Sequence, residues 1–413
     1  MLLCYIDRIL TMTQETRLSK WAADIRAIKD TKLTTEHKRR AFNHLQDIVS
    51  FNNVVFYTGF LFSFLDASHV FPWVMMGLSI SSHWTTVSHH ASHGGYMDDN
   101  SAKEKNHNNK YNRFKYGVKM RRVYDWMDYI LPEAWHCEHN IYHHYKLNEC
   151  HDPDNVQQNL AILRTMNAPC IVKYGFIAFF ALTWRLFYYS PNSYKYYKAA
   201  KLKHTMKDED HDQLTLVGGW PSWISKMEYF FLVLFPVIVY RAVCFAPIYF
   251  FHTHFPAIFT ATHLHNVILN YVLADLFCNV HTFVIIVPNH AGSDMYLYRT
   301  SVVAKSDEWL LRQCISSTNY TTGNNATDYL QGWLNYQIEH HLFPDLSAHE
   351  YQVIQKDVEE VCRRHGVPYV CENVFIRFWK TAKIMTGQDS IPYYEGSELE
   401  ARMNLPANLS FKS

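Results

Sequence analysis

Three short stretches of the chain concentrate imidazole at spacings that suit a metal ion. In SHHASHGG, His89 and His93 stand four residues apart, so on a helix both rings leave one face about a turn apart and can grip one ion. In WHCEHNIYHHYKLNECHDPDN, His139, His143 and His144 form HxxxHH. Adjacent histidines splay apart, so His143 and His144 can serve two different ions. In LNYQIEHHLFPDLS, Gln337, His340 and His341 repeat the spacing HxxHH with glutamine in first place. His90 points about 100 degrees away from His89 on a helix and reads as a supporting group, not a ligand. Glu138, Asp152 and Asp154 lie close enough in sequence to accept the hydrogen bonds that metal-bound histidines make through their far ring nitrogens. Each feature has a plainer reading. A lone HxxxH is more often a pair of surface histidines, and acids beside a loop are more often solvated charge. Three such stretches in one chain favour a metal centre.

The whole chain narrows the setting. It has 413 residues, and 39 Lys and Arg against 38 Asp and Glu leave no bulk charge to attract nucleic acid. The 25 His fit metal binding, and 28 Tyr, 26 Phe and 11 Trp fit membrane interfaces. A mean hydropathy of -0.22 averages a few apolar spans with a charged remainder, so the spans decide. Nine cysteines, an odd number with no CxxC pair, argue against a disulfide framework and a zinc ribbon. Asp7 and Arg8 interrupt the apolar start MLLCYIDRIL, and Glu15 and Asp24 spoil a transit-peptide composition, so no cleaved targeting segment is expected.

The elements that must position the histidines follow from periodicity. Residues 14–50 carry Trp21, Ile25, Ile28, Phe42, Leu45 and Ile48 at helical spacing and predict amphipathic, water-facing helices. An apolar run from Val54 breaks at Asp66 to His69 and resumes to Ile80, predicting a helical hairpin into the bilayer. Met227 to Phe251 and Val267 to Val287 predict two spans despite Arg241 and Asp275. Ala168 to Tyr189 is long enough to span but carries Lys173 and Arg185. If the three histidine clusters share one site, an even number of crossings separates the second from the third, which places 168–189 on the bilayer surface as an amphipathic helix. The stretch Ser190 to Lys226 then stays on the cluster side, and its Lys195, Lys198, Lys201, Lys203, Lys207 and Lys226 make that side cytoplasmic. Ala348 to Met385 has helical periodicity and ends in a polar tail. The expected architecture is an all-α integral membrane protein, with about four transmembrane helices in two hairpins under a cytoplasmic helical cap. Its parts are N-terminal helices at 1–50, a membrane domain at 51–350, and C-terminal helices and tail at 351–413.

In order and spacing the clusters resemble the three histidine boxes of the membrane fatty-acid desaturases: HxxxH or HxxxxH, HxxHH or HxxxHH, and H/QxxHH. The resemblance covers about residues 50–350, and NYQIEHHLFP is similar to the form in the acyl-lipid and front-end branches. It implies metal ligands at His89, His93, His139, His143, His144, His340 and His341. A further ligand from the end of the last span is implied, for which IVPNHAG offers His290; Asn289 beside it would act through a bound water. His281, within the apolar run, competes with His290 but reads more simply as a buried neutral histidine with a hydrogen-bond partner. His252, His254, His263 and His265 fall in the connection between spans, on the opposite side. Two departures stand out. His90 replaces the aspartate of the related HDxxH, and no HPGG haem motif of a fused cytochrome b5 domain appears. Electrons are therefore expected from a separate donor such as cytochrome b5 or ferredoxin.

The resemblance implies two non-haem iron ions, with O2 as co-substrate, that remove two hydrogens from an acyl lipid or acyl-CoA and leave a cis alkene. Oxidising an unactivated methylene exceeds what a side chain can do, so the metal carries the chemistry and no general base is required. Zinc lacks the second oxidation state such a cycle needs. The acyl chain is expected in an apolar tunnel between spans and cap, with Trp84, Trp126, Trp135 and Trp333 as candidate lining residues, although core packing explains them equally. The expected location is the endoplasmic reticulum membrane with the metal site facing the cytosol. Competing readings are an acyl-chain hydroxylase on the same scaffold, a membrane haem or metal-transport protein, and a catalytically silent binding module. Transport usually places ionisable groups at membrane depth, whereas these clusters flank the spans.

Overall fold

The computed structural model describes residues 2–97, 110–126, 128–202, 214 and 219–394, with side chains of the first helix from Arg17 onward. Lys203, Lys207 and the polar tail beyond residue 394 lie outside the described residues. Among those described, the chain is helical apart from short bridges and one two-stranded parallel sheet, which pairs Asn319 with Cys371 and Tyr320 with Glu372.

The first helix, Leu2–Lys32, packs on Ala348–His365 and Asp307–Ile315. It buries Trp21, Ala22, Ile25 and Ile28, one helical stripe. Its polar face is tied down by Arg26–Asp307, Lys29–Asp345 and Lys32–Asp357. The second helix, Thr35–Leu61, starts at a capping box on Thr34 and buries Leu45 and Ile48, while Phe42 stays two-fifths exposed. Its far half exposes Phe51, Val54, Tyr57 and Leu61, an apolar surface that suits lipid. It folds back on Phe71–Ser82, held by Asn52 and Ser79, each donating to the other's backbone carbonyl at 3.0 Å. On the other flank Gly77 lets Ala261–Ile286 come close: a Cβ at that position would stand 2.7 Å from the Ala274 carbonyl.

Among the described residues, three helices are long and apolar enough to cross a membrane: Cys170–Lys201, Lys226–His254 and Ala261–His290. The last two are the spans expected from sequence. Neither arm of the N-terminal hairpin joins them, because the helix begun at Phe71 turns polar where it runs on into residues 83–93, and the apolar part of Thr35–Leu61 begins near its middle. The first of the three contains the segment read from sequence as surface-lying. Its hydrogen bonds tie it to several neighbours, including the span Ala261–Ile286 through Trp184 and the Asn279 carbonyl (2.9 Å). Lys173 Nζ donates to the Arg164 and Thr386 carbonyls (2.9 and 3.0 Å), and Tyr188 OH donates to the Pro153 carbonyl (3.3 Å) and accepts from Asn159 (2.7 Å).

The charges inside the spans find each other. Asp275 Oδ2 accepts from Tyr129 OH (2.8 Å) and from Arg241 (3.2 Å), and its other oxygen stands 3.9 Å from Arg185, which also pairs with Asp128. This network fastens Phe235–His254, which otherwise packs loosely and exposes most of its apolar surface. Of the lysines counted toward a basic face, Lys195 is buried and Lys198 pairs with Glu228 at 2.8 Å.

Candidate metal centre

Two of the three histidine clusters sit where an α-helix widens into a π turn. His83–Ser88 leads from Phe71–Ser82 into His89–His93, and His136–His143 leads from Pro132–Trp135 into His144–Lys146. The His144 N–H reaches the His139 carbonyl and the His89 N–H reaches that of Trp84, each five residues back. The His139 and His143 rings stay stacked at 5.2 Å. The third cluster lies on Gln337–Leu342, which follows Trp333 in left-handed conformation (φ 53°).

All eight histidines proposed from sequence and family are buried and fall into two groups. His89, His93, His139, His144 and His340 form one, and His143, His290 and His341 the other, with the candidate donor atoms of each group within 4.8 Å of one another. The adjacent pairs are divided: His143 and His144 face different groups, as do His340 and His341. His144 and His341 stack at 4.4 Å between ring centroids and join the groups. A third grouping, His139, His143 and Asp154, overlaps both.

Hydrogen bonds set the tautomers. Nδ1–H of His89 donates to the Thr85 carbonyl (3.2 Å), of His143 to Asp152 (2.9 Å), of His290 to the Ser316 carbonyl (3.0 Å), of His340 to Tyr351 OH (3.1 Å) and of His341 to Gln313 Oε1 (2.9 Å). Tyr351 passes its own proton to the Phe343 carbonyl, so it accepts from His340. Each of these rings therefore turns an Nε2 lone pair inward. Two such pairs come within contact: His89 with His340 at 3.1 Å and His139 with His89 at 3.2 Å. His93 Nε2, both nitrogens of His144 and His341 Nε2 have no partner. Each unsatisfied buried group costs about 1–3 kcal/mol. Burial and neighbouring imidazoles hold His93, His139, His144, His340 and His341 well below the ordinary histidine range, so these rings are neutral. Convergent neutral imidazoles with unused lone pairs fit borderline divalent ions such as iron.

The remaining sequence candidates divide. His90 donates to the Thr86 carbonyl at 2.6 Å and stands outside both groups. Gln337 Nε2 donates to His290 Nε2 at 3.0 Å, and its oxygen is unpartnered, as is the Asn289 side-chain oxygen. Asp152 supports His143, and Asp154 lies 3.7 Å from it. Glu138 meets no imidazole. It is buried beside Asp154 and Tyr189, and burial together with Asp154 and Asp152 pushes it well above the usual carboxylate range. Burial likewise raises Asp154, to about 6, so the two carboxyls share protons. His281 is occupied at both nitrogens, by Ser81 (2.7 Å) and the Leu330 carbonyl (2.8 Å). His252, His254, His263 and His265 stand at the connection remote from His290. Sequence reasoning missed Thr85, Tyr351, Gln313 and Ser316. Only Thr85 had a signal, lying one helical turn before His89.

A narrow cavity of about 90 Å³ opens against both groups. His89, His139, His143 and His290 border it, and Trp84, Trp135, Trp184, Phe180, Phe283 and Leu160 make most of its apolar wall. Of the tryptophans proposed as lining, Trp84 and Trp135 are there. Trp126 lines a separate groove, and Trp333 packs against His44. That groove, about 920 Å³, reaches His93 and His144 from the opposite side and carries Arg26, Lys29, Arg113 and Lys305.

A model of the fatty acid desaturase family matches residues 66–373. The chain is 32% identical over 112 residues to an NADPH-dependent stearoyl-CoA 9-desaturase of Mycobacterium tuberculosis, covering 27% of this chain and 26% of that protein. It is 31% identical over 91 residues to a Delta(5) fatty acid desaturase of Caenorhabditis elegans, covering 22% and 20%. With a Delta(8)-fatty-acid desaturase of Euglena gracilis the identity is 49% over 43 residues, 10% of each. The aligned segments thus span about a quarter or less of these relatives' lengths. No solved structure matches the chain.

Proposed function

Since the chain belongs to the fatty acid desaturase family, we propose that it introduces a cis double bond into a fatty acyl chain at two histidine-held iron ions, with electrons from a separate donor protein. The observation that carries this reading is the adjacency of two buried imidazole groups to one slender apolar cavity. His89, His93, His139, His144 and His340 would hold one ion, and His143, His290 and His341 the other. Bound iron, with O2, supplies the oxidising power that no side chain has. In the overall balance O2 takes two electrons and two protons from the acyl methylenes and two of each from the donor and medium, leaving two waters and one alkene.

The chain's own residues then do three things. The Nδ1–H donors fix each ring so that Nε2 faces the ion. The aromatic wall of Trp84, Trp135, Trp184 and Phe283 excludes water and holds the acyl chain extended against the imidazoles. Asp152, fully buried, makes His143 a stronger donor on the side with fewer histidines.

The metal side faces the cytosol in this reading, at the endoplasmic reticulum. The far-side connections, 62–70 and 255–260, contain no Lys or Arg. In this reading Cys170–Trp184 is not counted as a crossing; Lys173 near its start bonds to the Arg164 and Thr386 carbonyls, which supports placing that end at the metal side.

The test is expression in a host with a simple lipid profile, with double bonds located by mass spectrometry and iron counted in the purified protein. New unsaturated acyl chains and about two irons per chain are expected. Hydroxylated product would redirect the assignment to an acyl hydroxylase, and zinc or no metal would overturn it.

A further inference from the structure

A second apolar cavity, about 280 Å³, lies between the segment Val156–Thr165 and the helix Cys170–Trp184. Ile162, Leu163, Met166, Phe176, Ile177 and Phe179 line it, and no charged side chain does. Asn159, Leu160 and Phe180 belong to its wall and equally to the wall of the cavity at the histidines. The two spaces are therefore separated only by these side chains. Leu160 and Phe180 are themselves half-buried and can turn without leaving a packed core. Asn159 is fixed by its bonds to the Pro153 carbonyl and Tyr188 OH, both 2.7 Å.

The outer mouth opens on an apolar surface. Ile162, Phe176 and Phe179 are 58%, 50% and 64% exposed, and Ile171, Leu182 and Phe187 extend the strip along the same helix. A strip of this kind on a membrane protein faces acyl chains, not water. The larger groove at the centre differs in being of mixed charge, lined by Arg26, Lys29, Arg113 and Lys305 as well as Asp30, Glu133 and Asp345, and it opens toward His93 and His144.

We propose that the seam between Val156–Thr165 and Cys170–Trp184 is a lateral portal through which an acyl chain of a bilayer glycerolipid passes directly into the cavity at the histidines. The substrate on this view is an acyl chain still attached to a membrane lipid. The proposal rests on the desaturase reading for the fate of the chain, but not for its route. Leu160 and Phe180 are the inner gate, and Met166 and Phe176 flank the outer mouth.

The route is testable without turnover. The full-length protein is placed in phosphatidylcholine vesicles containing a phosphatidylcholine with a photoreactive diazirine near its acyl terminus, irradiated, and mapped by peptide mass spectrometry. Label is expected on seam residues such as Met166 and Phe179 and on cavity residues such as Trp184 and Phe283. Met166→Trp, which fills the seam without touching the histidines, should lower cavity labelling about tenfold, equivalent to roughly 1.4 kcal/mol of steric opposition. Iron content serves as the check that the variant is folded, and Met166→Leu should restore labelling. Cavity label that is indifferent to Met166→Trp overturns the portal, as does a labelled cavity beside an unlabelled seam. A water-soluble acyl thioester carrying the same probe provides the second arm; if it alone labels the cavity, the lipid-borne substrate is refuted. Seam labelling without any unsaturated product would leave the portal standing and reject desaturation.

Discussion

Replacing Asp152 by asparagine separates the two metal sites. Asp152 Oδ1 accepts from His143 Nδ1 at 2.9 Å and from the Asp154 N–H at 2.9 Å, while Oδ2 accepts from the Asn148 N–H at 2.7 Å. The side chain is wholly buried, so no water can take over these bonds. Asp152→Asn keeps the volume but removes the charge that makes His143 electron-rich, and it sets an amide N–H against a backbone N–H or against the imidazole. Loss of such a supporting carboxylate typically costs 10- to 100-fold in metal affinity, about 1.4–2.7 kcal/mol. The loss falls on the group of His143, His290 and His341. That group has three imidazoles to begin with, whereas the other has five and none of their rings bonds to Asp152. Chelator titration of purified protein, with iron counted by mass spectrometry, should show one of about two irons leaving at roughly 10- to 100-fold lower chelator, while the other leaves as in the parent. If both ions leave together, or both at parental concentrations, the division into an Asp152-supported site and an independent one is wrong.

The same titration distinguishes the neighbours in the third cluster: His341→Ala reduces a group of three to two and should lose its iron outright, while His340→Ala leaves four of five and should weaken binding without emptying the site, and both should abolish product. Gly332→Ala tests the floor beneath the first cluster. Gly332 has φ +61° and an added Cβ would stand 2.9 Å from Thr85 Cβ, so the variant should lose about 1–3 kcal/mol of stability and release iron from the His89 group more readily, because the Thr85 carbonyl orients His89. Asp275→Asn should lower the unfolding midpoint in detergent by the equivalent of about 3 kcal/mol, the low end for breaking a buried pair since Arg241 is a quarter exposed, and Arg241→Met should cost less because Asp275 keeps Arg185. An unchanged midpoint for Asp275→Asn would mean the network carries no stability.

The histidine stretches were legible because metal-type spacing is local. HxxxHH and QxxHH announce themselves within six residues, and the split of adjacent histidines follows from side-chain direction alone. What surrounds them was not legible, for two reasons. The partners that orient the rings come from distant helices: Gln313 is 28 residues from His341, and Ser316 is 26 from His290, with nothing in either segment to mark it. The π turns also defeat a 3.6-residue reading, since a side chain's facing shifts after His83–Ser88 and again within His136–His143. An ideal α-helix would put His139 and His143 on one face and one ion; they share the grouping with Asp154, yet the two all-histidine groups divide them. Arg241 and Asp275 looked like flaws in their spans. They are ordinary once seen together, because each neutralises the other.

The arrangement has a polarity that bears on how reductant and substrate avoid interfering. His89 and His139 of the larger group border the apolar cavity, and His93 and His144 of that same group border the larger groove of mixed charge. The smaller group reaches the cavity through His143 and His290, and none of its histidines lines the groove. The stacked rings of His144 and His341 join the two groups between the groove and the cavity. An acyl chain arriving through the apolar side meets both groups at once. The larger group would offer an ion up to five imidazole donors. The smaller group would offer three imidazoles, with the unpartnered amide oxygens of Asn289 and Gln337 beside it as further oxygen donors. The two groups are unequal, and the buried Asp152 carboxylate supports the smaller one through His143.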